Sequence, residues 1–260
     1  MQIKAKKSLG QNFLIDKNIL KKIVSVGDIS REDKILEIGP GTGNLTEYII
    51  RLKPKALIVV EKDIELSKIL ESKFKKQIKI VNKDILKLSE SFYNEKFLIY
   101  GNLPYNISTQ ILAHWCLSKK IKFKKLILMF QKEVADRIIA KVNTKNYSRI
   151  TILANWKFDI KKIFDISPEC FSPRPKITST LLELIPKNNV KEIQNPKNLE
   201  YITRIFFSQR RKMIKKNFIK LFKDFDDVSK SIDIKLTDRP QNISVDKYLE
   251  IVKEFENRSN

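Results

Sequence analysis

Two cysteines, one histidine and six glycines stand among 260 residues. Those shortages exclude several kinds of protein before any motif is sought. Cys116 and Cys170 lie far apart with no C-x-x-C pair, and His114 is the only histidine, so a zinc site lacks ligands and no metal is expected. The default for both thiols is the reduced form of a cytoplasmic protein. A Ser-His-Asp or Cys-His arrangement would have to use His114. That residue sits in the apolar stretch Ile111-Leu112-Ala113-His114-Trp115 and reads as structural. No apolar run approaches the ~20 residues that span a bilayer. The basic start Met1-Gln2-Ile3-Lys4-Ala5-Lys6-Lys7 lacks the apolar stretch of a signal peptide. No membrane association is expected, and the cytoplasm is the simplest location. Acidic residues are also in deficit, 30 against 52 basic ones, for a net charge of +22. An excess of that size points to a polyanionic partner without saying which. Lysine outnumbers arginine, and isoleucine and asparagine are abundant, a bias that A+T-rich coding would also give.

What is present alternates. Short apolar runs at 34–38, 56–60, 78–81, 97–100 and 125–130 read as strands. Between them, apolar positions recur at helical spacing over 16–26, 44–52, 63–74, 108–117 and 131–142. Segments 150–158 and 178–184 read as further strand or mixed structure. Alternation of this kind implies an α/β fold, a mostly parallel sheet with helices on both faces. Such sheets bind ligands beyond the carboxyl ends of their strands. That directs attention to Gly39, Glu61, Asp84 and Gly101. The pattern changes at the polar, proline-bearing stretch from Ile185 to Pro196. Beyond it, 199–208, 209–222 and 245–255 read as helices. The expected organisation is an α/β domain over 1–186, then a linker and small all-helical domain over 187–260.

The first strand ends in Glu37-Ile38-Gly39-Pro40-Gly41-Thr42-Gly43. Glycines there allow a tight turn and close approach of a ligand to the main chain. A G-x-G-x-x-G dinucleotide fingerprint would put its third glycine at position 44, which is Asn44, and no G-K-[ST] follows for a P-loop. The turn therefore suits a nucleoside ligand without a pyrophosphate, or a purely structural role. Glu61 ends the next strand about 20 residues on, where a carboxylate can hold ribose hydroxyls. Asp84 follows the third strand, where it could accept from an adenine amino group. Each alone reads equally as surface charge. Together, carboxylates at three adjacent strand ends favour a cationic ligand. S-adenosylmethionine, with its sulfonium and ammonium, fits where a phosphorylated cofactor would be repelled.

Gly101-Asn102-Leu103-Pro104-Tyr105-Asn106 follows the fourth strand. An adenine amino group is a poor nucleophile because its lone pair is delocalised into the ring. A site that methylates it must accept its N–H hydrogens and turn the lone pair toward the methyl donor. Asn102 offers a side-chain carbonyl. The stiff Leu103-Pro104 segment offers a backbone carbonyl. Tyr105 can stack on the base. Catalysis of that kind is positioning and electrostatic pre-organisation. The bland alternative is a strand-to-helix turn with a buried tyrosine.

These blocks resemble the ribosomal RNA adenine dimethyltransferases, over nearly the whole chain. Ser8-Leu9-Gly10-Gln11-Asn12-Phe13-Leu14 resembles the family's N-terminal coenzyme segment. Glu37 to Thr46 resembles its glycine motif, Val60-Glu61-Lys62-Asp63 its ribose motif and Asn82-Lys83-Asp84 its adenine motif. Asn102-Leu103-Pro104-Tyr105-Asn106-Ile107-Ser108 resembles its catalytic motif, and Phe171-Ser172-Pro173-Arg174-Pro175-Lys176 a late loop whose aromatic helps hold the base. The resemblance implies a Rossmann-like class I methyltransferase domain. It implies S-adenosylmethionine contacts from Gln11, Asn12, Leu14, Gly39, Gly41, Glu61, Lys62, Asp84, Ile85 and Asn102, with S-adenosylhomocysteine as product. Asn102, Leu103, Pro104, Tyr105 and Phe171 would hold the adenine. The implied activity is transfer of four methyl groups to two adjacent adenosines in the 3′-terminal hairpin loop of 16S rRNA, within the 30S subunit or its precursor. Relatives that methylate 23S rRNA share the coenzyme motifs. Leu103, the Leu9-Gly10-Gln11 start and the Gln209-Arg210-Arg211-Lys212 run favour the small-subunit branch.

Segment 209–223 carries Arg210, Arg211, Lys212, Lys215, Lys216, Lys220 and Lys223 with no acid. Arg210, Arg211, Lys212, Lys215 and Lys216 are the expected RNA contacts; a solvated face of an amphipathic helix is the alternative. Lysines and arginines there would position RNA while base contacts specify it. The competing functions are a mainly non-catalytic 30S assembly factor, a 23S rRNA methyltransferase and an adenine-specific DNA methyltransferase. The last usually has a larger recognition region than this tail allows. A monomer is expected, because one continuous face must meet a large RNA particle.

Overall fold

The structure is a computed structural model that describes residues 6, 11–93 and 95–258. Among the described residues the first elements are β1 (Phe13–Leu14) and α1 (Lys17–Val26). Asp16 caps that helix by accepting from the Asn18 and Ile19 backbone N–H groups at 2.9 Å each. Strands and helices then alternate: β2 (Lys34–Ile38), α2 (Asn44–Arg51), β3 (Ala56–Glu61), α3 (Ile64–Phe74), β4 (Lys79–Asn82), β5 (Phe97–Asn102), α4 (Ser108–Leu117) and β6 (Phe123–Gln131). After α5 (Lys132–Ile138) and α6 (Arg149–Lys157) come β7 (Phe158–Ile166), β8 (Phe171–Ser172) and β9 (Ser179–Pro186). The rest is helical: α7 (Pro196–Phe207), α8 (Lys215–Leu221), α9 (Phe225–Ser231) and α10 (Val245–Arg258).

One sheet has the order β4-β3-β2-β5-β6-β9-β7. The pairs β4–β3, β3–β2, β2–β5 and β5–β6 are parallel, and β6–β9 is antiparallel. Ile35, Leu36, Val59, Ile99 and Leu126 are wholly buried, as parallel strands covered on both faces require. Chain order reverses between β2 and β5, so a crevice opens beyond their carboxyl ends. The antiparallel pairing of β9 has a consequence for the site. Ser179 pairs with Gln131, so β9 starts at the edge where β5 and β6 finish. A second, two-stranded ladder pairs β1 with β8, Phe13 against Ser172 and Leu14 against Phe171.

The chain divides into two units, one built on the sheet. The other is helical and gathers Trp115–Lys119, Asp136–Phe158 and Lys187–Asn260. Leu199, Ile202, Phe206, Ile214, Phe218, Ile251 and Val252 form its interior, where the Phe206 and Tyr248 rings meet edge-on at 5.7 Å. The stretch expected as a linker is tied down: Glu256 accepts from the Gln194 and Asn195 N–H groups at 2.7 Å and from the Asn198 amide at 3.1 Å.

Three segments differ from expectation. Residues 150–158 are mostly helix rather than strand, because Thr151 closes a capping box with Ser148 and the helix is packed all round. Strand β7 lacks a clear sequence signal because it is the sheet edge, where Asp159, Lys161 and Lys162 face solvent. The continuous helix expected over 209–222 is confined to α8. Ile214 is fully buried, and the Ile214 and Lys215 N–H groups donate to the carbonyls of Asp238 and Leu236 instead.

Candidate active site

A cleft open to solvent lies at the carboxyl ends of β2, β3 and β5. One wall carries Glu37, Gly39, Gly41, Glu61, Lys62 and Asp84; the other carries Asn102, Leu103, Pro104 and Tyr105. Gln11, Asn12, Phe13 and Leu14 also line it.

The first wall is acidic and held by bonds between residues at most 22 positions apart. Glu37 is buried and accepts from the Thr46 hydroxyl at 2.7 Å. Burial pushes its carboxyl up to about 7, against the pull of the Thr46 hydroxyl and with the Glu61 charge adding to the push. Glu61 accepts from the Asp63 N–H at 2.9 Å and the Gly41 N–H at 3.3 Å, yet burial still raises its pKa. Asp84 accepts from the Leu86 N–H and pairs with Lys62 Nζ at 3.0 Å. Partial burial raises the Asp84 carboxyl, and the bonds from Lys62 and Leu86 outweigh that and hold it below its ordinary value. Gly39, at φ +66°, joins the walls: a Cβ there would stand 3.1 Å from the Asn102 carbonyl oxygen. At Gly41 a Cβ would meet the Phe13 ring at 2.7 Å, so the turn and the N-terminal segment touch.

The second wall is neutral and held by long-range bonds. Asn102 Nδ2 donates to the Asn12 carbonyl at 2.9 Å. That commits the amide nitrogen and leaves Oδ1 as an acceptor. The Leu103 side chain is buried, so its backbone carbonyl is what it offers. Tyr105 is half-buried, and its phenol bonds the Ser179 hydroxyl at 2.6 Å. The N-terminal segment is anchored on the acidic side, where Asp63 receives Lys6 Nζ at 3.0 Å and Gln11 Nε2 at 3.0 Å.

Of the residues expected to hold the coenzyme or the adenine, all line this cleft except Phe171 and Ile85. Phe171 does not line the cleft; pairing of β8 with β1 turns its ring into the apolar cluster around Leu14 and Ile166, where it is 3% exposed. Ile85 is buried behind Asp84 rather than on the wall. Arg210 is engaged by carbonyls of Thr144 and Lys145 and by Gln241, whereas Arg211, Lys212, Lys215 and Lys216 are exposed. Ser8, Leu9 and Gly10 lie outside the described residues. Sequence reasoning missed Phe13, Leu66 and Met129 on the wall and Ser179 behind it. Met129, near the end of β6, follows from the strand-end rule; Ser179 carries no local signal.

Residues 2–257 match the family model described as ribosomal RNA adenine dimethylase. The chain belongs to this family. A ribosomal RNA small subunit methyltransferase A of Pelagibacter ubique is 56% identical, over 98% of both chains. One of Malacoplasma penetrans is 39% identical over 96% of this chain and 92% of its own. Among solved structures, a dimethyladenosine transferase from Plasmodium falciparum superposes with a TM-score of 0.80 at 29% identity, covering 95% of this chain and 98% of that one. The 23S rRNA methyltransferase ErmE superposes at 0.69 over 94% and 100%; at 21% identity it shows the shared fold alone. The family places the protein among methyltransferases with a Rossmann-like α/β domain, acting on rRNA. Among the described residues no helix is long and apolar enough to cross a membrane.

Proposed function

We propose that the protein transfers methyl groups from S-adenosylmethionine to the N6 atoms of two adjacent adenosines in the 3′-terminal hairpin loop of small-subunit rRNA, two to each. The observation that carries this reading is the Asn102 carboxamide, whose nitrogen is held by Asn12 so that its oxygen can accept from an exocyclic amine. The names of the relatives support the small subunit as the target.

The residues present fit the coenzyme. Glu37, Glu61 and Asp84 make the cleft a cation-binding wall, and among the described residues its one lining lysine, Lys62, is already paired with Asp84. Gly39 leaves a main-chain cradle that any Cβ would fill. Glu61 retains lone pairs for ribose hydroxyls, Asp84 for an adenine amine, and Glu37 faces positive charge. Bound there, S-adenosylmethionine supplies an electrophilic methyl group on a sulfonium.

The chain's own residues prepare the acceptor. Asn102 Oδ1 and a carbonyl of the Leu103-Pro104 segment each accept one N6–H hydrogen. This turns the nitrogen lone pair out of conjugation and toward the cleft. Tyr105 stacks on the base and keeps it out of its own helix. No base need act first, because the proton leaves once the nitrogen has become cationic. After the first transfer one N–H remains, so the second needs only one acceptor. Arg211, Lys212, Lys215 and Lys216 would contact RNA phosphates, so RNA binding should weaken with salt by a log-log slope of roughly 0.7–0.9 per contact. A salt-insensitive affinity would contradict that role.

The direct test supplies methyl-labelled coenzyme with under-methylated 30S subunits, 23S rRNA or duplex DNA. Label in dimethyladenosine of the 30S subunits alone supports the reading. Label in 23S rRNA or DNA redirects it, and binding of 30S subunits with no transfer makes the protein an assembly factor.

A further inference from the structure

Ser179 lies 74 residues from Tyr105, yet the two hydroxyls stand 2.6 Å apart. We infer that Ser179 is a positioning residue for methyl transfer: its hydroxyl fixes the Tyr105 phenol and so sets the plane of the ring on which the target base stacks. The inference rests on the function proposed above and assigns a part of that site outside its sequence motifs.

The backbone explains why this hydroxyl can serve as a fixed point. The β9 strand runs antiparallel to β6, so its first residue sits at the edge where the parallel strands deliver their functional residues. Ser179 pairs with Gln131, two positions along β6 from Met129, and Met129 pairs with Asn102 on β5. Asn102 and Ser179 therefore belong to one three-strand ladder, while Tyr105 stands on the turn that leaves it. Ser179 has no exposure to solvent, and Lys132 N–H closes on the neighbouring Thr178 carbonyl at 3.0 Å. The tip of a turn-borne ring is thus pinned to the sheet.

A stacking surface needs only a π-face, which phenylalanine would supply equally. The tyrosine hydroxyl adds a second point of attachment. Without it the ring swings about Cα–Cβ and loses the in-plane restraint that a conjugated phenol O–H places on rotation about Cβ–Cγ, whereas a productive acceptor geometry tolerates about 10–20°. Burial raises the Tyr105 pKa, against the opposing effect of its bond to Ser179, so the phenol stays protonated at neutral pH and either hydroxyl can donate.

The test is a double-mutant cycle on the whole protein with under-methylated 30S subunits, using Ser179→Ala, Tyr105→Phe, the pair, and Ser179→Thr. Ser179→Ala is expected to lower kcat about tenfold, the scale of one lost hydrogen bond, with coenzyme KM unchanged. Ser179→Thr should restore most of the rate. The pair should be no slower than Tyr105→Phe alone, since both changes break one bond. A second readout needs no turnover: in ring-labelled tyrosine NMR spectra, the signal missing from Tyr105→Phe identifies Tyr105, and its ring flipping should accelerate in Ser179→Ala. Additive losses in the pair, wild-type kinetics in Ser179→Ala, or an unchanged flip rate would overturn the inference. An inactive wild type would instead sink the proposed function while leaving the flip measurement intact.

Discussion

The two walls of the cleft are built by different means. On the acidic wall, Glu61 is held by the N–H of Asp63, two residues on, and of Gly41; Asp84 is held by Leu86; Glu37 bonds Thr46, nine residues on. On the acceptor wall the braces come from far away: Asn12 holds Asn102 across 90 residues, and Ser179 holds Tyr105 across 74. On the proposed function the acidic wall binds charge, which acts over distance and tolerates small displacements. On that same proposal the acceptor wall turns one lone pair, which tolerates little. Neighbouring strand ends and their turns suffice for the first task; the second draws on partners 74 and 90 residues away.

If that contrast is right, the largest single effect belongs to the acceptor wall. Asn102→Ala should lower kcat by about 10²–10³, the usual cost of one pre-organised hydrogen-bonding group, while binding of 30S subunits stays within a few-fold. Asn102→Asp is more telling. It keeps an acceptor oxygen but sets a carboxylate against the Asn12 carbonyl, so it should be nearly as slow. A fast Asp variant would show that the brace from Asn12 has no part in orienting the acceptor.

Gly39→Ala tests the point where the walls touch. A side chain at φ +66° costs about 1–2 kcal/mol, and its Cβ would crowd the Asn102 carbonyl at 3.1 Å. Both kcat and coenzyme affinity should fall, each about tenfold, with a Tm lower by a few degrees. Loss of coenzyme affinity alone would mean that the walls are independent.

The same contrast explains what could be read from the sequence. The glycine turn, Glu61, Asp84 and Asn102 to Tyr105 were legible because each motif follows a strand directly, and strand ends are where such sheets work. The parallel sheet was legible from alternation alone. Partners separated by 74 or 90 residues leave no local trace, so Ser179 and the function of the Asn12 carbonyl were not. Phe171 was misplaced because a motif gives identity without direction, and its pairing with Leu14 decides which way the ring faces. Arg210 looks like its neighbours in sequence, but its guanidinium caps carbonyls of Thr144 and Lys145.

On the acidic wall, effects should be smaller and pH-dependent. The Glu37 carboxyl is pushed from its usual 4.5 to about 7. Between those values the folded protein holds a proton that the unfolded chain has released, so raising the pH through that window removes stability. A cationic coenzyme favours the ionised form. Its affinity should therefore rise from pH 6 to pH 8 by up to about tenfold, with a proton released on binding, measurable by calorimetry in two buffers. Glu37→Gln should flatten the profile. A slope that survives in Glu37→Gln would assign it to another group.

The smallest effect should come from the strap between the walls. Asp63 caps α3 through the Glu65 N–H at 2.9 Å and also receives Lys6 and Gln11, whose neighbour Asn12 orients Asn102. Asp63→Asn keeps a capping oxygen but removes the charge that Lys6 meets. Asp63 is buried but Lys6 keeps 40% of its side chain exposed, so solvent screens the pair; coenzyme affinity should fall by only about threefold, and less at high salt. The decisive quantity is kcat. If the strap merely covers the coenzyme, kcat is unchanged at saturation. If it also holds the acceptor through Asn12, kcat falls in step with affinity, and the two walls are one device joined at their N-terminal segment.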